Sequence, residues 1–336
     1  MMKNRPNKNP LILLACMASL SCVMMLNASA APTALGYAIY ARGAYWKTAK
    51  TLDVAIGAAS AKDHSAVRLN TTPIVKPEWI FDNYPPFDVF VMGDESAMPN
   101  FSEYDSFAEA YAQAKKTPDS FIYHWSTGRL VWDNGTAIAG GETTDAAQPT
   151  PPIIPAPLIL QMPELARGCE VTSLAMLINY LGVSATKQEL ADKIQKTDAR
   201  DDPNKGFVGN MFTFDEMGYG VYHAPIYDLL SQYAPTAVDL SGCDFEVIDY
   251  YLDLGIPVWV IVNSKYAPLP DEEFDTWQLQ DGDIKITYRE HSVLVTGYDA
   301  DNIYFNDPLG ERAKTDYGDF EAAWVQMGKQ AVTVMP

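Results

Sequence analysis

Cys169 is the residue of this sequence best placed for nucleophilic chemistry. Four apolar residues recur after it at the spacing of a helix: Val171, Leu174, Ile178 and Leu181. Gly182 follows where a helix ends, so the sequence predicts a buried helix with Cys169 in its first turn. Unpaired backbone N–H groups and the helix dipole favour a thiolate there, although Glu170 opposes this with a nearby negative charge. The alternative is a small buried cysteine that packs without doing chemistry.

A histidine and two candidate orienting residues follow on a predicted hairpin. His291 begins an apolar strand, residues 299–302 supply a turn, and the returning strand ends with Asn306 and Asp307. A thiol peptidase needs a histidine that accepts the thiol proton and an amide or carboxylate that orients this histidine. Adjacent strand residues face opposite ways, so one of the pair faces His291. The residues alone leave Asn306, Asp307 and a purely structural His291 open.

The first 30 residues have the pattern of a secretory signal peptide. Three basic residues precede a mostly apolar stretch from Leu11 to Leu26, and Ala28-Ser29-Ala30 supplies a cleavage site between small residues. The stretch is short for a membrane span, which needs about 20 residues. We therefore predict that residues 1–30 are removed. The protein would be secreted, extracellular or cell-wall associated, with no stable membrane span after cleavage.

Charge and cysteine content limit the partners. Cleavage would remove three of the 24 basic residues and none of the 43 acidic ones, which leaves a formal charge of −22. Such a surface repels nucleic acid, so no nucleic-acid partner is expected. Only Cys169 and Cys243 would remain, and two cysteines in an oxidising compartment can form one disulfide. A catalytically silent binding protein with a Cys169–Cys243 disulfide is therefore an alternative.

Residues 31–140 read as a small duplicated α+β module. The copies, about 34–83 and 87–134, each read strand, helix, strand, strand, and each closes on Asp-Asn. His64 and His124 have no companions at ligand or triad spacing, so we expect binding or spacing here, and no metal or cofactor. Residues 141–157 are proline-rich and predict an extended linker before a second domain, 158–336.

A long irregular segment, residues 200–226, lies between the cysteine and the histidine. It is rich in Gly, Asp and aromatic residues, which is typical of a cleft wall. Four of its aromatic residues are expected to contact an extended peptide: Phe207, Phe212, Phe214 and Tyr219. The acidic residues around them predict a preference for neutral or cationic peptides.

Three motifs together resemble the C-39-like cysteine peptidase family, papain-like domains related to the peptidases that process bacteriocin leaders. The motifs are Gln161 with Gly168-Cys169-Glu-Val-Thr-Ser, Glu290-His291-Ser-Val-Leu-Val-Thr-Gly-Tyr-Asp, and Asn306-Asp307-Pro308. The resemblance covers about residues 158–336. It implies Cys169 as nucleophile, His291 as base, Asp307 as orienting residue and Gln161 as side-chain donor to the oxyanion.

The sequence thus predicts an α+β protein in which a papain-like cysteine peptidase domain follows the duplicated module. Its expected substrate is a peptide or protein, including one held in the bacterial cell wall. The sequence has no Walker-type P-loop or transmembrane domain, so the substrate of bacteriocin exporters does not carry over. Alternatives with the same fold are acyl transfer to an amine and hydrolysis of cell-wall peptides.

Overall fold

The computed structural model describes residues 36–42, 44–69, 81–91, 100–125, 127, 129–134 and 153–336. The predicted signal peptide and most of the predicted linker lie outside these residues. The chain divides into two compact units, Met1–Glu142 and Thr143–Pro336. Within the described ranges, no helix has the length and apolar character needed to cross a bilayer.

The first unit contains two antiparallel four-stranded sheets. The elements of the first sheet are β1 Tyr37–Ala41, β2 Ala44–Ala49, α1 Leu52–Ser60, β3 Ser65–Leu69 and β4 Phe81–Asp82. Those of the second are β5 Phe87–Val91, β6 Asn100–Tyr104, α2 Phe107–Ala114, β7 Ser120–His124 and β8 Arg129–Asp133. The strand orders are β2-β1-β3-β4 and β6-β5-β7-β8. Each sheet packs against its own helix, and alanines on the helix allow close contact, as Ala55 and Ala59 do against Ile39.

The two sheets share the same strand order and the same closing contacts. Asn83 and Asn134 follow the last strand of each sheet, and their side-chain amides donate to carbonyls at the end of the preceding helix. Each also donates its backbone N–H to the carbonyl of a serine that starts the third strand, Ser65 or Ser120. Each copy has one more strand than the sequence predicted, β2 and β6, so the order is strand, strand, helix, strand, strand. A duplication would produce this likeness, and it stays a prediction.

A histidine joins the two sheets of the first unit. His64, just before β3, bonds through Nε2 to Glu103 of β6 at 2.8 Å and pairs through Nδ1 with Asp63 at 2.9 Å. Asp88 lies directly opposite Glu103 in the β5–β6 ladder and is buried, with one carboxylate oxygen unpartnered. Burial, and then the charge of Glu103, raises the pKa of Asp88 to about 7.

The second unit is a mixed α and β domain built on a six-stranded antiparallel sheet. The helices are α3 Cys169–Tyr180, α4 Lys187–Lys193, α5 His223–Ser231, α6 Glu246–Asp253 and α7 Tyr317–Gln326. The strands are β9 Lys196–Thr197, β10 Phe207–Val208, β11 Ala237–Asp239, β12 Val258–Asn263, β13 Asp275–Leu279, β14 Gly282–Ile286, β15 Glu290–Tyr298, β16 Asn302–Asp307, β17 Glu311–Asp316 and β18 Ala331–Val334. The strand order of the six-stranded sheet is β11-β18-β12-β15-β16-β17.

Helices cover both faces of this sheet. The indole N–H of Trp259 on β12 donates at 3.0 Å to a backbone carbonyl in the first turn of α3. On the other face, the ring of Phe305 on β16 lies 5.4 Å from that of Phe320 on α7. Trp259 pairs with Leu294 and Phe305 with Val295, and these neighbours on β15 point to opposite faces. The core therefore lies in two layers, which explains why β12 and β15 are apolar without alternation.

The second unit begins before the predicted boundary at residue 158. Ile154 donates its backbone N–H to the carbonyl of Thr296, and both Ile154 and Ala156 are buried. The side chains of Asn306 and Arg312 donate to the carbonyl of Ala156. The end of the predicted linker is therefore part of this unit, because its backbone supplies hydrogen bonds that a free spacer would not make.

Candidate active site

Cys169 is the first residue of α3, as the sequence predicted. Gly168 precedes the helix, and the helix ends at Tyr180 with Gly182 in a left-handed conformation, φ 80°. Every residue from Cys169 to Ile178 is buried, so α3 is enclosed on all sides rather than on one stripe. Ser173 ties the helix to β15, since its hydroxyl donates to the carbonyl of Ser292 at 3.0 Å. The cysteine is therefore held rigidly beside the start of β15.

His291 and Asp307 are brought together by the β15–β16 hairpin. Nε2 of His291 lies 2.9 Å from Oδ1 of Asp307, and both side chains are buried. Because Nε2 faces the carboxylate, Nδ1 is the ring nitrogen left to accept a proton. Burial alone would raise the pKa of Asp307, but hydrogen bonds from His291, Tyr266 and the Leu309 backbone outweigh it, and the pKa is lowered. Asp307 is thus held as a carboxylate.

Asn306 points away from the histidine. Its side-chain amide donates to the carbonyls of Ala156 and Pro157, and its Oδ1 accepts from Arg312. The alternation of β16 therefore gives the two neighbours different surroundings: Asp307 contacts His291, and Asn306 fastens the start of the unit.

Tyr266 is a further part of the site that the sequence analysis did not single out. Its hydroxyl donates to Oδ2 of Asp307 at 2.5 Å, and its ring lies 6.1 Å from the ring of His291. Burial and the charge of Asp307 raise the pKa of this hydroxyl. Asn263, the last residue of β12, folds the turn that places Tyr266 in a left-handed conformation, φ 54°. Residues other than glycine rarely adopt that backbone conformation, so the sequence pattern did not predict the position of Tyr266.

The thiol itself contacts Glu170. Sγ lies 3.2 Å from Oε2 of Glu170, and no hydrogen bond joins it to the imidazole in the described part of the chain. Burial, then the charges of Glu170 and Glu290, raises the pKa of Cys169, while the backbone N–H of Ser292 opposes this. The prediction that the helix start would favour the thiolate is therefore corrected for this arrangement, because burial and two carboxyl groups together outweigh the helix dipole.

Glu170, which is buried, and Glu290, which is half-buried, form a pair beside the sulfur. Oε1 of Glu170 accepts from the backbone N–H of Val221 at 2.7 Å, whereas Oε1 of Glu290 is buried without a partner. Gly220 lies against both, since a Cβ there would come within 2.6 Å of Glu170 and 2.7 Å of Glu290. Burial raises the pKa of both carboxyl groups, and for Glu290 the charge of Glu170 adds to the effect.

The same groups are the ones that a metal ion could contact. Among the described residues, Cys169, Glu170 and Glu290 each offer one ligand atom, and these atoms lie within 4.8 Å of one another. The sequence predicted no metal and no cofactor, and no pattern in it indicated that Glu290 would lie beside Cys169. Glu290 comes directly before His291 on β15, and the side chains of neighbouring strand residues point to opposite faces. This alternation is the sequence signal that places Glu290 on the face opposite to that of His291.

Gln161 is buried in a segment that other residues hold in place. Its Nε2 donates to the carbonyl of Ala166 at 3.0 Å, which leaves one amide hydrogen for another acceptor, and Oε1 has no partner. Its backbone N–H donates to the carbonyl of Pro308, next to Asp307. Lys187 of α4 donates to the carbonyls of Leu160 and Gln161 at 2.5 and 2.8 Å. The segment is therefore fixed between α4 and the end of β16.

Both cysteines of the described residues are free thiols, which corrects the alternative of a Cys169–Cys243 disulfide. Cys243 lies in the loop before α6, where the neighbouring backbone pairs with Lys329 near β18. Burial, then the charges of Asp239 and Asp244, raises the pKa of Cys243 to about 12.

The predicted cleft wall is only partly aromatic. Phe207 and Tyr219 are buried in the core, whereas Phe212 and Phe214 are 46% and 65% exposed. The backbone N–H of Arg167 donates to Met211 at 2.9 Å, so this loop runs beside the start of α3. The guanidinium of Arg167 lies 4.9 Å from the ring centre of Phe214, and the ammonium of Lys196 lies 5.5 Å from that of Phe212. The two exposed rings therefore lie beside basic side chains, which the sequence pattern did not predict.

Comparison with known proteins gives three likenesses to the second unit. Residues 153–332 match the sequence profile of the Peptidase_C39 like family. A Bacillus subtilis (strain 168) protein named uncharacterized protein YvpB is 45% identical over 183 residues, which cover 52% of this chain and 72% of that protein. The crystal structure of a candidate C39-like peptidase from Bacillus anthracis has a TM-score of 0.54 and 46% identity, and the match covers 55% of this chain and 97% of the other.

Proposed function

Because the chain belongs to the Peptidase_C39 like family, we propose that it is a cysteine peptidase whose second unit has the papain-like fold. Cys169 is the nucleophile, His291 the base, Asp307 the residue that orients the histidine, and Gln161 a donor to the oxyanion. One observation carries the assignment: the 2.9 Å bond between His291 and Asp307 leaves Nδ1 free, at the end of β15 that lies beside Cys169.

The reaction needs no group beyond these residues and water. The thiol proton passes from Sγ to Nδ1 of His291, and the sulfur attacks the carbonyl carbon of the peptide bond. The oxyanion accepts from the free amide hydrogen of Gln161 and from the backbone N–H at the start of α3. The imidazolium then protonates the leaving amine, which leaves a thioester. Water attacks the thioester with His291 as base, which releases the acid and restores the thiol.

The surroundings of the site favour an extended peptide as substrate. The 201–222 loop and the 160–162 segment flank the start of α3 and expose apolar side chains, among them Phe212, Phe214, Leu160 and Met162. Because Arg167 and Lys196 lie beside the exposed rings, cationic peptides gain no clear advantage there, unlike the expectation from the sequence. We propose neutral, unstructured peptide segments, met outside the cell if the predicted signal peptide acts as one.

Hydrolysis of a peptide mixture and of purified peptidoglycan by the chain without residues 1–30 tests this proposal. We expect peptide cleavage that disappears in Cys169→Ala and persists in Cys243→Ala, which removes the other buried thiol. Cleavage that survives Cys169→Ala would refute the assignment of the nucleophile. Release of wall fragments that depends on Cys169, without cleavage of free peptides, would instead favour a cell-wall hydrolase.

A further inference from the structure

The contacts of the Cys169 thiol differ from those that the proposed reaction requires. The reaction needs the S–H to face His291, whereas here it donates to Glu170 and lies within 4.8 Å of Glu290. Glu290 and His291 are consecutive residues of β15, so their side chains leave the strand on opposite faces. The sulfur therefore lies on the Glu290 side of the strand.

Among the described residues, no basic side chain balances the charge of these two carboxyl groups. No lysine or arginine pairs with Glu170 or Glu290 anywhere in the structure's described ranges. Two carboxylates so close together in a buried site cannot both stay ionised, so one proton is retained between them. Glu170 is the better anion, because the N–H of Val221 and the thiol both donate to it, while Glu290 has an unpartnered oxygen.

Other titratable groups around the sulfur come from three further elements. Tyr219 and Tyr222 of the 201–222 loop lie near Glu290, and their hydroxyls bond to each other at 2.9 Å. Tyr266 lies on the far side, with its hydroxyl on Asp307, and His291 completes the set. None of the tyrosines supplies a positive charge, so the carboxyl pair dominates the electrostatics of the thiol.

We infer that Glu170 and Glu290 are positioning residues that share one proton and hold Cys169 as a protonated thiol on the Glu290 side of β15 until substrate binds. This inference rests on the proposed function, because it assumes that Cys169 must turn to His291 to react. In the released state the S–H bond breaks, the proton moves to Nδ1 of His291, and the sulfur is left as thiolate. Glu170 then keeps its bond to Val221, and no proton leaves the carboxyl pair.

The test is the rate at which iodoacetamide alkylates Cys169, read by mass spectrometry as a function of pH. Glu170→Gln with Glu290→Gln removes the shared charge, and the amide introduced beside the thiol can keep the Val221 bond while it turns an N–H toward the sulfur. We expect alkylation near neutral pH to rise at least roughly tenfold and its pH midpoint to fall, as one pKa unit in a reactive thiol would produce. Glu290→Gln alone is the matched control and should change the rate little, because Glu170 stays ionised and in contact.

Two further measurements separate this inference from a loosened fold and from the proposed function. Cys243 is a buried thiol in the same chain, and it should stay protected in every variant. The acceleration should also persist in a His291→Ala background, because the pair acts on the sulfur directly. At neutral pH the infrared band of protonated carboxyl groups should be weaker in Glu290→Gln than in the native chain, because Asp88, whose pKa is about 7, contributes equally to both spectra.

Each outcome decides one of the two proposals. An unchanged rate in the double variant with Cys243 protected, or an infrared band of equal strength in the native chain and in Glu290→Gln, would overturn the role of the pair even if peptides are cleaved. Faster alkylation of Cys169 in the double variant, without peptide cleavage by the native chain, would support the role of the carboxyl pair and count against the peptidase function.

Discussion

Asn306 and Asp307 are neighbours on β16 whose side chains make different contacts, and substitution of each should distinguish their roles. Asp307→Ala removes the partner of His291, so we expect peptide turnover to be nearly lost while the fold remains. Asn306→Ala leaves the carbonyls of Ala156 and Pro157 short of a donor, which should cost about 1–3 kcal/mol of stability with turnover retained. Chemical denaturation and peptide turnover measure the two effects, and the reverse pattern would give the orienting role to Asn306.

Tyr266→Phe tests whether the tyrosine hydroxyl supports the histidine through Asp307. The hydroxyl helps to lower the pKa of Asp307, so its removal should raise that pKa and move the acid limb of the pH–rate profile to higher pH. We expect kcat/KM to fall roughly tenfold, since a hydrogen bond to a charged group contributes about 1.5–3 kcal/mol. Tyr288→Phe, at a largely exposed tyrosine, is the control and should leave both unchanged. A lower rate with an unmoved acid limb would make Tyr266 merely structural.

At this scale the sequence predicted the residues but not their contacts. Cys169 and His291 could be chosen by residue type and spacing, whereas Asp307 could be preferred to Asn306 only through the resemblance to the C-39-like family, and the catalytic roles of all three stay predictions. Glu290 and Tyr266 could not, because their roles depend on a strand face and on a turn with positive φ, which a linear pattern does not encode.

Helix α4 fixes the Gln161 segment through one buried lysine, and removing the ammonium should be costly. Lys187→Met removes the ammonium donor from the carbonyls of Leu160 and Gln161, although the latter keeps the backbone N–H of Leu165, and it frees Glu164. We expect a loss of about 2–4 kcal/mol and lower turnover. Lys193→Met is the matched control on the same helix, because its ion pair with Glu189 is exposed and one turn away. Denaturation and turnover of both variants check this, and equal effects would show that α4 needs its lysines only for general helix stability.

The elements of the second unit were predictable where a single strong signal marked them. The returning strand of the predicted hairpin is confirmed as Asn302–Asp307, because it follows a clear turn and ends at the two residues that the sequence predicted. Helix α5 was not predicted from the sequence, because Pro225 lies in its first turn and a Gly-rich run precedes it. Proline is nevertheless tolerated in the first turn of a helix. Strand β17 was not predicted from the sequence, because it is a charged edge strand that is recognised only by its pairing with β16.

The contacts made by residues 153–157 predict where a stable fragment of the second unit must begin. Residues 153–336 should fold alone and keep the thiol protected, whereas residues 158–336 should be less stable. The shorter fragment loses the buried side chains of Ile154 and Ala156, and Asn306 and Arg312 lose acceptors. Thermal unfolding of the two fragments compares them, and equal midpoints would show that residues 153–157 only lie on the surface of a complete core.

His64 and Asp88 should make the first unit less stable as the pH rises, while His124, whose pKa is lowered by burial, contributes in the opposite direction. Folding raises the pKa of His64, since the bonds and charges of Glu103 and Asp63 outweigh burial, and it raises the pKa of Asp88 to about 7. Both groups hold protons in the folded state that the unfolded chain releases at lower pH. The stability that they contribute is therefore present in acid and lost as pH rises toward and beyond 7.

Calorimetry of the whole chain across this pH range measures the effect. Asp88→Asn should flatten the pH dependence of one thermal transition, which identifies that transition as the first unit. A transition whose midpoint stays constant with pH, in the native chain and in the variant, would contradict the assigned directions.

If residues 1–30 act as a signal peptide, the hydrogen bond from Cys169 to Glu170 would also affect how long the thiol survives outside the cell. Peroxide and disulfide partners react with cysteine as the thiolate, and a buried protonated thiol reacts slowly. A peptidase that keeps its sulfur protonated between turnovers would lose little of its nucleophile to sulfenic acid or to mixed disulfides with other proteins. The same contact that slows the first step of catalysis would then lengthen the working life of the enzyme in an oxidising environment.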